Sequence, residues 1–287
     1  MIYDVNGIAV ISAYNVGGNS IDRAYDVNGQ KVYPDLLPIP TGTLTASSIV
    51  PMPDIYGTGH GFTCTGLCHD AETNTYLVGD IGKALPSSSG FASQIVRLSA
   101  DFTTVVGTIP LAATFPNMTD IQGIAIDTSD GTIWFCSHGE NLVRHIAADG
   151  TSIGYFSLNK ASGISYDPDT DTLWCCTTAQ YIYNLSKSGT VISSYQWSGS
   201  DTIDQCFYDY TRHLLYFDGG DSYSSANNLY CYDPATQTVS VACVLSDSYS
   251  VEGISLEPER LVIVNDGYYH SAATAVNQTN IYNLGSN

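Results

Sequence analysis

The sequence predicts an all-β fold, a five-bladed β-propeller of four-stranded blades. Three observations predict it. First, Ala161 to Tyr195 reads as four short strands in a row with no helical spacing. Second, that unit recurs: Gly66, Gly123, Gly163, Cys206 and Gly253 each stand at the start of a hydrophobic run, 57, 40, 43 and 47 residues apart. Four-stranded units of roughly 40–50 residues stack into propellers, because one such sheet cannot bury both faces alone. Third, the chain holds 21 tyrosines while only 13% of its residues are charged, a composition suited to pleated, half-buried surfaces.

The blades follow in order. In the clearest one, Ser162 to Tyr166 is the inner strand, and Asp167-Pro168-Asp169-Thr170-Asp171 is a turn set by proline and by Asp side chains that bond the local backbone. Thr172–Cys176, Tyr181–Leu185 and Val191–Tyr195 complete the blade. The same reading gives blades at about 60–111, 118–158, 160–197, 202–245 and 249–284, within a propeller domain spanning 43–287. The fifth unit is one strand short. Thr43–Val50 is a β-like run outside the blades, and it is expected to close the ring on the last blade, so that no sheet edge stays open at the seam.

Residues 1–35 differ. Tyr3-Asp4-Val5-Asn6-Gly7, Tyr14-Asn15-Val16-Gly17-Gly18 and Tyr25-Asp26-Val27-Asn28-Gly29 recur every 11 residues. Asn-Gly and Gly-Gly between β-formers signal two-residue hairpin turns, which need positive φ at both central positions. The segment is therefore read as a stem of three small hairpins, followed by a linker at 36–42. Each hairpin is too small to be stable by itself and needs packing partners: the other hairpins, the propeller, or other copies in a homo-oligomer.

Net charge is −19 at pH 7, which argues against nucleic acid or an anionic membrane as partner. No run approaches a membrane span, and Met1-Ile2-Tyr3-Asp4 does not begin a signal peptide, so synthesis in a bacterial cytoplasm is expected. The eight cysteines lack CxxC or Cys/His zinc spacing. They read as buried, reduced small side chains, with a Cys64–Cys68 or cross-blade disulfide as the alternative.

GIAIDTSDGTIWF, SGISYDPDTDTLWCC and EGISLEPERLVIV resemble the repeats of SMP-30/NHL-like and SdiA-regulated propellers. That resemblance implies a metal at the channel mouth. Phe62-Thr63-Cys64-Thr65-Gly66-Leu67 is similar to the opening strand of plant-type glutaminyl cyclase propellers, from which it departs by an inserted residue and a cysteine. The Tyr-Asp-Val-Asn-Gly repeat resembles short repeats in bacteriophage and prophage tail and fibre proteins, where they precede a host-facing domain. It implies a virion tail location, with other virion proteins as partners through residues 1–35.

In a propeller the residue before each anchor pair lies near the channel mouth. Here those residues are Thr65, Gln122, Ser162, Gln205 and Glu252. The loops between second and third strands share that face, and those of blades one, four and five are long (78–94, 218–228 and 265–280). Ligand contacts are therefore expected from Gln122, His138, Gln205, Tyr223, Tyr268, Tyr269 and His270, since aromatic faces stack on sugars and amides bond hydroxyls. Glu252, Asp80, Asp218 and Asp266 are candidate ligands for Ca²⁺, which takes carboxylate and carbonyl oxygens. If the site is catalytic, Glu252 is the candidate acid with Asp218 or Asp266 opposite, and His138 is the candidate base of a Ser137, His138 and Asp218 set that no Gly-x-Ser-x-Gly elbow accompanies. The leading expectation is a phage or prophage tail-tip or fibre protein whose propeller recognises a bacterial cell-surface glycan or protein. The alternative is a metal-dependent hydrolase or lactonase, or a glycan depolymerase, on an SMP-30-like ring.

Overall fold

The computed structural model describes residues 37–285 apart from 58, 86–87, 90, 119, 220–225 and 268–276, together with the backbone of four two-residue strands before them. Five sheets, each built on four antiparallel strands, form a ring, and the innermost strands neighbour one another in chain order. Blade one is Cys64–Asp70, Thr75–Asp80, Gln94–Ser99 and Val105–Pro110. Blade two is Ile124–Ile126, Ile133–Ser137, Leu142–Ile146 and Ser152–Ser157. Blade three is Ala161–Asp167, Thr172–Thr177, Tyr181–Leu185 and Val191–Gln196. Blade four is Cys206–Asp209, Leu214–Asp218, Ala226–Asp233 and Thr238–Ser246. Blade five is Val251–Leu256, Arg260–Asn265 and Gln278–Asn283, completed by Ser48–Pro51 from before blade one.

The ring closes as the missing strand requires, over a shorter span than Thr43–Val50. Ser48–Pro51 pairs antiparallel with Gln278–Ile281. Thr43 and Leu44 instead lie parallel to Val244 and Leu245, as a fifth strand on blade four. The intervening Thr45-Ala46-Ser47 carries the chain from one blade to the next, so a single continuous strand over 43–50 is excluded. In the stem segment, Ile2–Tyr3 pairs with Ala9–Val10, and Ala24–Tyr25 pairs with Lys31–Val32. The middle repeat, at Tyr14–Gly18, lies outside the described residues.

The anchor glycines explain how five blades fit round so narrow an axis. Gly123 N–H donates to Ser162 O at 2.7 Å, a hydrogen bond between inner strands of neighbouring blades. A Cβ on Gly123 would lie 2.6 Å from both Ser162 O and Ile164 N. A Cβ on Gly253 would stand 2.7 Å from the Leu67 side chain, where blade five meets blade one. Between the sheets the packing is apolar: Tyr76, Phe62 and Phe102 at the seam of blades five and one, Phe135 and Ile121 between one and two, and Phe217 and Trp174 between three and four.

On the face opposite the channel mouth, each inner strand ends in a carboxylate or is followed directly by one: Asp70, Asp127, Asp167, Asp209 and Glu257. The aspartates cap their turns, as Asp127 Oδ1 accepting from Ser129 N–H and Asp167 Oδ1 accepting from Asp169 N–H show. Of the nine Lys and Arg residues, four hold these carboxylates: Arg97 on Asp70, Lys187 on Asp127, Arg212 on Asp209 and Arg260 on Glu257. Arg260 also donates to Tyr76 Oη at 2.6 Å, while that hydroxyl donates to Glu257, clasping blade five to blade one. Leu37 N–H donates to Pro258 O, so the chain joins the ring on this same face.

Candidate functional site

At the mouth, most polar side chains are consumed in fastening one blade to the next. Thr65 Oγ1 donates to Ile121 O at 2.7 Å, joining blades one and two. Ser162 Oγ donates to the Asp204 carboxylate, joining blades three and four. Asp218, fully buried, accepts from Gln205 N–H at 2.6 Å and Asp204 N–H at 3.3 Å and so shapes the start of its own inner strand. Cys64 donates to Asn265 O at 3.2 Å across the seam of blades five and one.

The four carboxylates selected from the sequence divide accordingly. Asp80 pairs in register with Cys64, Glu252 follows Val251, the register partner of Asn265, and Asp266 follows Asn265, so all three lie at the seam of blades five and one that Cys64 bridges. Burial pushes the Cys64 thiol far up, and the charges of Asp266, Glu252 and Asp80 add to it. Asp218 belongs to blade four and serves the backbone there. Among the described residues, no three His, Cys, Asp or Glu side chains stand close enough to hold a metal ion.

The proposed base His138 forms its hydrogen bond with Thr178, Nε2 to Oγ1 at 3.0 Å, and burial holds its pKa below the ordinary histidine value against the opposing charge of Asp120. Ser137 donates to Glu140 at 2.8 Å and to Asp120, so the Ser137–His138–Asp218 arrangement is not assembled. Gln122 and Gln205 are in place at the mouth, and Gln122 Oε1 and Gln205 Nε2 are buried without a hydrogen-bond partner. Tyr223, Tyr268, Tyr269 and His270 lie outside the described residues.

The long loop of blade one supplies an aromatic side chain, Phe91, that sequence reasoning missed. Phe91 is 44% exposed and stacks on Tyr56, with ring centroids 3.7 Å apart and planes 9° from parallel. The Tyr56 hydroxyl donates to the buried Asp80 carboxylate, and Gln94 Nε2 donates to both at 3.1 Å. Gly82 N–H donates to the other Asp80 oxygen at 2.9 Å. Burial raises the Asp80 pKa despite these donors, and it also raises that of Tyr56, reinforced by the hydrogen bond to Asp80. Asn265 occupies in blade five the place that Asp80 occupies in blade one. It is fully buried, and neither Oδ1 nor Nδ2 has a hydrogen-bond partner. The mouth thus combines an exposed aromatic plate, a carboxylate fixed beneath it, and unpartnered amide donors and acceptors.

The architecture has many solved counterparts. The chain is similar to the glutaminyl cyclase of Myxococcus xanthus, with a TM-score of 0.58 and 14% identity, covering 85% of this chain and 99% of that one. It is similar to a chain of a nidogen/laminin complex, with a TM-score of 0.50 and 15% identity over 70% of this chain and 72% of that one. For the WD40 repeats of RRP9 the TM-score is 0.49 at 13% identity, covering 77% of this chain, which spans only 61% of that one. The first two of these likenesses agree with the fold described above and speak to the fold alone. No protein-family model matches the chain, and no curated protein matches it.

Proposed function

We propose that this chain is a binding protein, a phage or prophage tail-tip or fibre component whose propeller takes a bacterial cell-surface glycan at the channel mouth. The observation that carries the reading is the exposed Phe91 ring stacked on Tyr56 above Asp80 and Gln94. An aromatic face flanked by amide and carboxylate hydrogen-bonding groups suits a sugar ring, whose C–H face is apolar and whose rim is hydroxyl. Gln122, Gln205 and Asn265 add donors and acceptors already desolvated and without protein partners, so a hydroxyl reaching them replaces no existing bond. The stem repeats, with their resemblance to tail proteins, supply the setting.

The test is a glycan array and whole-cell binding with the full chain. Phe91→Ala is expected to weaken binding by about 1–2 kcal/mol, roughly 5- to 30-fold, as for an aromatic anchor. Retained affinity in Phe91→Ala removes the plate from the site, and absence of binding to any glycan or cell refutes the reading. The enzymatic alternative, a hydrolase, lactonase or glycan depolymerase on an SMP-30-like ring, is favoured by one observation, the raised pKa of Asp80 beside the plate, which suits a general acid. It requires product release from a bound glycan that Asp80→Asn or Glu252→Gln abolishes while binding survives.

A further inference from the structure

The seam between blades three and four carries an inference of a different kind. Its starting point is the seam of blades five and one. There a Cβ on Gly253 would stand 2.7 Å from both Val264 Cγ2 and Leu67 Cβ, so these two side chains meet beside the anchor glycine. Val264 lies opposite Gly253 in its own blade, and Cys176 takes the corresponding place in blade three, one residue beyond the Ile164–Cys175 pair. Leu67 pairs with Val78, and Cys206, which pairs with Phe217, takes its place in blade four. The seam of blades three and four therefore has cysteine in both of the facing places.

The contacts there agree. A Cβ on Gly163 would stand 2.6 Å from Cys176 Sγ and 2.6 Å from Cys206 N, so the thiol of one residue and the backbone of the other flank the same space. Cys176 Sγ donates to Asp204 O at 3.3 Å, two residues before Cys206. Cys206 Sγ donates to Trp174 O at 3.9 Å, two residues before Cys176. Each thiol thus reaches the backbone beside the other, and both lie in one buried cluster.

Other cysteines are placed differently. Cys64 and Cys68 stand four residues apart on one strand, more than about 10 Å, too far for a disulfide. Cys175 alternates with Cys176 and packs toward blade two. Cys136 has the place of Cys176 at the seam of blades two and three, but Ile164 has the facing one. Cys231 is in register with Ser240 rather than with Cys243, which leaves it a diagonal neighbour at about 7–8 Å.

We propose that Cys176 and Cys206 become joined by a disulfide when the chain folds in an oxidising medium, stapling blade three to blade four beside the channel. The oxidant is a small-molecule disulfide such as oxidised glutathione. One protein thiolate attacks it, forming a mixed disulfide and releasing one small thiol. The second protein thiolate then attacks the protein sulfur and releases the other. One S–S bond forms in the protein and one is reduced in the oxidant, and the two protons of the protein thiols end on the two released thiols. Burial pushes the Cys176 pKa far up, with the neighbouring Cys206 thiol adding to it. The thiolate is therefore scarce once the seam has closed, and the exchange belongs to folding. The staple is independent of what the channel mouth binds.

The test is refolding of the full chain from urea in a buffer of oxidised and reduced glutathione, then tryptic digestion without reduction and mass spectrometry. Cleavage after Lys160, Lys187 and Arg212 puts Cys176 and Cys206 on separate peptides. The expected product is those two peptides joined, two hydrogen atoms lighter than the pair, with fragmentation placing the bond on Cys176 and not on Cys175. Residues 176 to 206 form the closed loop, and a loop of that length is expected to raise Tm by roughly 7–15 °C over the reduced chain. Cys206→Ala is expected to abolish both the linked peptide and the redox-dependent difference in Tm. Absence of the linked peptide overturns the proposal. So does a bond to Cys175, or an oxidised chain whose Tm is no higher than that of the reduced one, since the bond would then not fit the native seam.

Discussion

Replacing Gly123 by alanine tests the central claim about how the ring is packed. The new methyl carbon would stand 2.6 Å from Ser162 O, 2.6 Å from Ile164 N and 2.7 Å from Gly163 Cα. All three are backbone atoms of the next inner strand, so no side chain can rotate away. Relief requires blades two and three to part, which stretches the 2.7 Å hydrogen bond from Gly123 N–H to Ser162 O. Overpacking a well-packed interior costs about 1–3 kcal/mol and a compromised buried hydrogen bond about 1 kcal/mol more, so a loss of about 3 kcal/mol is expected. At about 2–4 °C per kcal/mol this lowers Tm by about 6–12 °C. Gly107 and Gly154, on outer strands, have nothing within 4 Å of where a Cβ would stand and serve as internal controls. Alanine there is expected to change stability by less than about 1 kcal/mol and, where the backbone suits it, to stabilise by restricting the unfolded chain. Urea denaturation followed by tryptophan fluorescence reads all three variants. Gly123→Ala as stable as Gly107→Ala would refute the reasoning, because the close approach of inner strands would then tolerate a methyl group.

Other expectations follow from the same geometry. All eight cysteines are free, and burial raises the pKa of Cys68 and Cys243 to about 12, so a thiol reagent at neutral pH should modify the native protein slowly and all eight sites once it is unfolded. Opposite pH responses are expected from two carboxylates. Burial works against ionisation of Asp127, but Lys187, Ser129 and the backbone outweigh it and hold its pKa below the ordinary value. Its stabilisation is therefore complete above the unfolded carboxyl value, about 3.9, and is lost as pH falls toward the folded one; Lys187→Met should remove that acid-limb dependence. Asp80 has the reverse sign: its folded pKa is raised, so it lowers stability at pH above that value and ceases to do so as pH falls through it. Carboxyl titration by NMR should find Asp80 above, and Asp127 below, the ordinary value. Arg260→Met should destabilise by about 2–4 kcal/mol, since it leaves Glu257 and Tyr76 with a buried, uncompensated charge at the seam of blades five and one.

The architecture was legible in the sequence because each blade repeats the same local chemistry. The anchor glycines, the Asp-led turns and the alternation of apolar strands all recur, and consistency across repeats reinforces a weak local signal. Closure was legible too, from a missing strand and a spare β-like run. Its register was not, because Thr43–Leu44 and Ser48–Pro51 have the same β-forming composition and only their three-dimensional neighbours separate them. The site was harder. Gln122, Gln205 and Glu252 could be placed at the mouth by counting from the anchors. Phe91 could not, because it lies in a loop without periodicity and its partner Tyr56 is 35 residues earlier. The Ser137–His138–Asp218 arrangement is not assembled because Ser137 ends a strand while His138 opens a 3-10 turn, so the two side chains reach different neighbours, Glu140 for one and Thr178 for the other, and Asp218 belongs to blade four.

The closing strand also imposes an order of events. Ser48 pairs with Ile281 and Pro51 with Gln278, so the first-made strand of the ring waits for the last-made one. More than two hundred residues separate these partners, and closing so large a loop is entropically costly and slow. Blades one to four can each form from contiguous chain as it emerges from the ribosome, whereas the fifth stays incomplete until synthesis has passed Asn283. During that interval Ser48–Pro51 and the seam-facing side of blade one, with Met52, Phe62 and Val78, remain uncovered. Cutting the chain before Gln278 should therefore do more than shorten it: it would leave the opening segment without a partner and the nascent ring exposed at both of its ends.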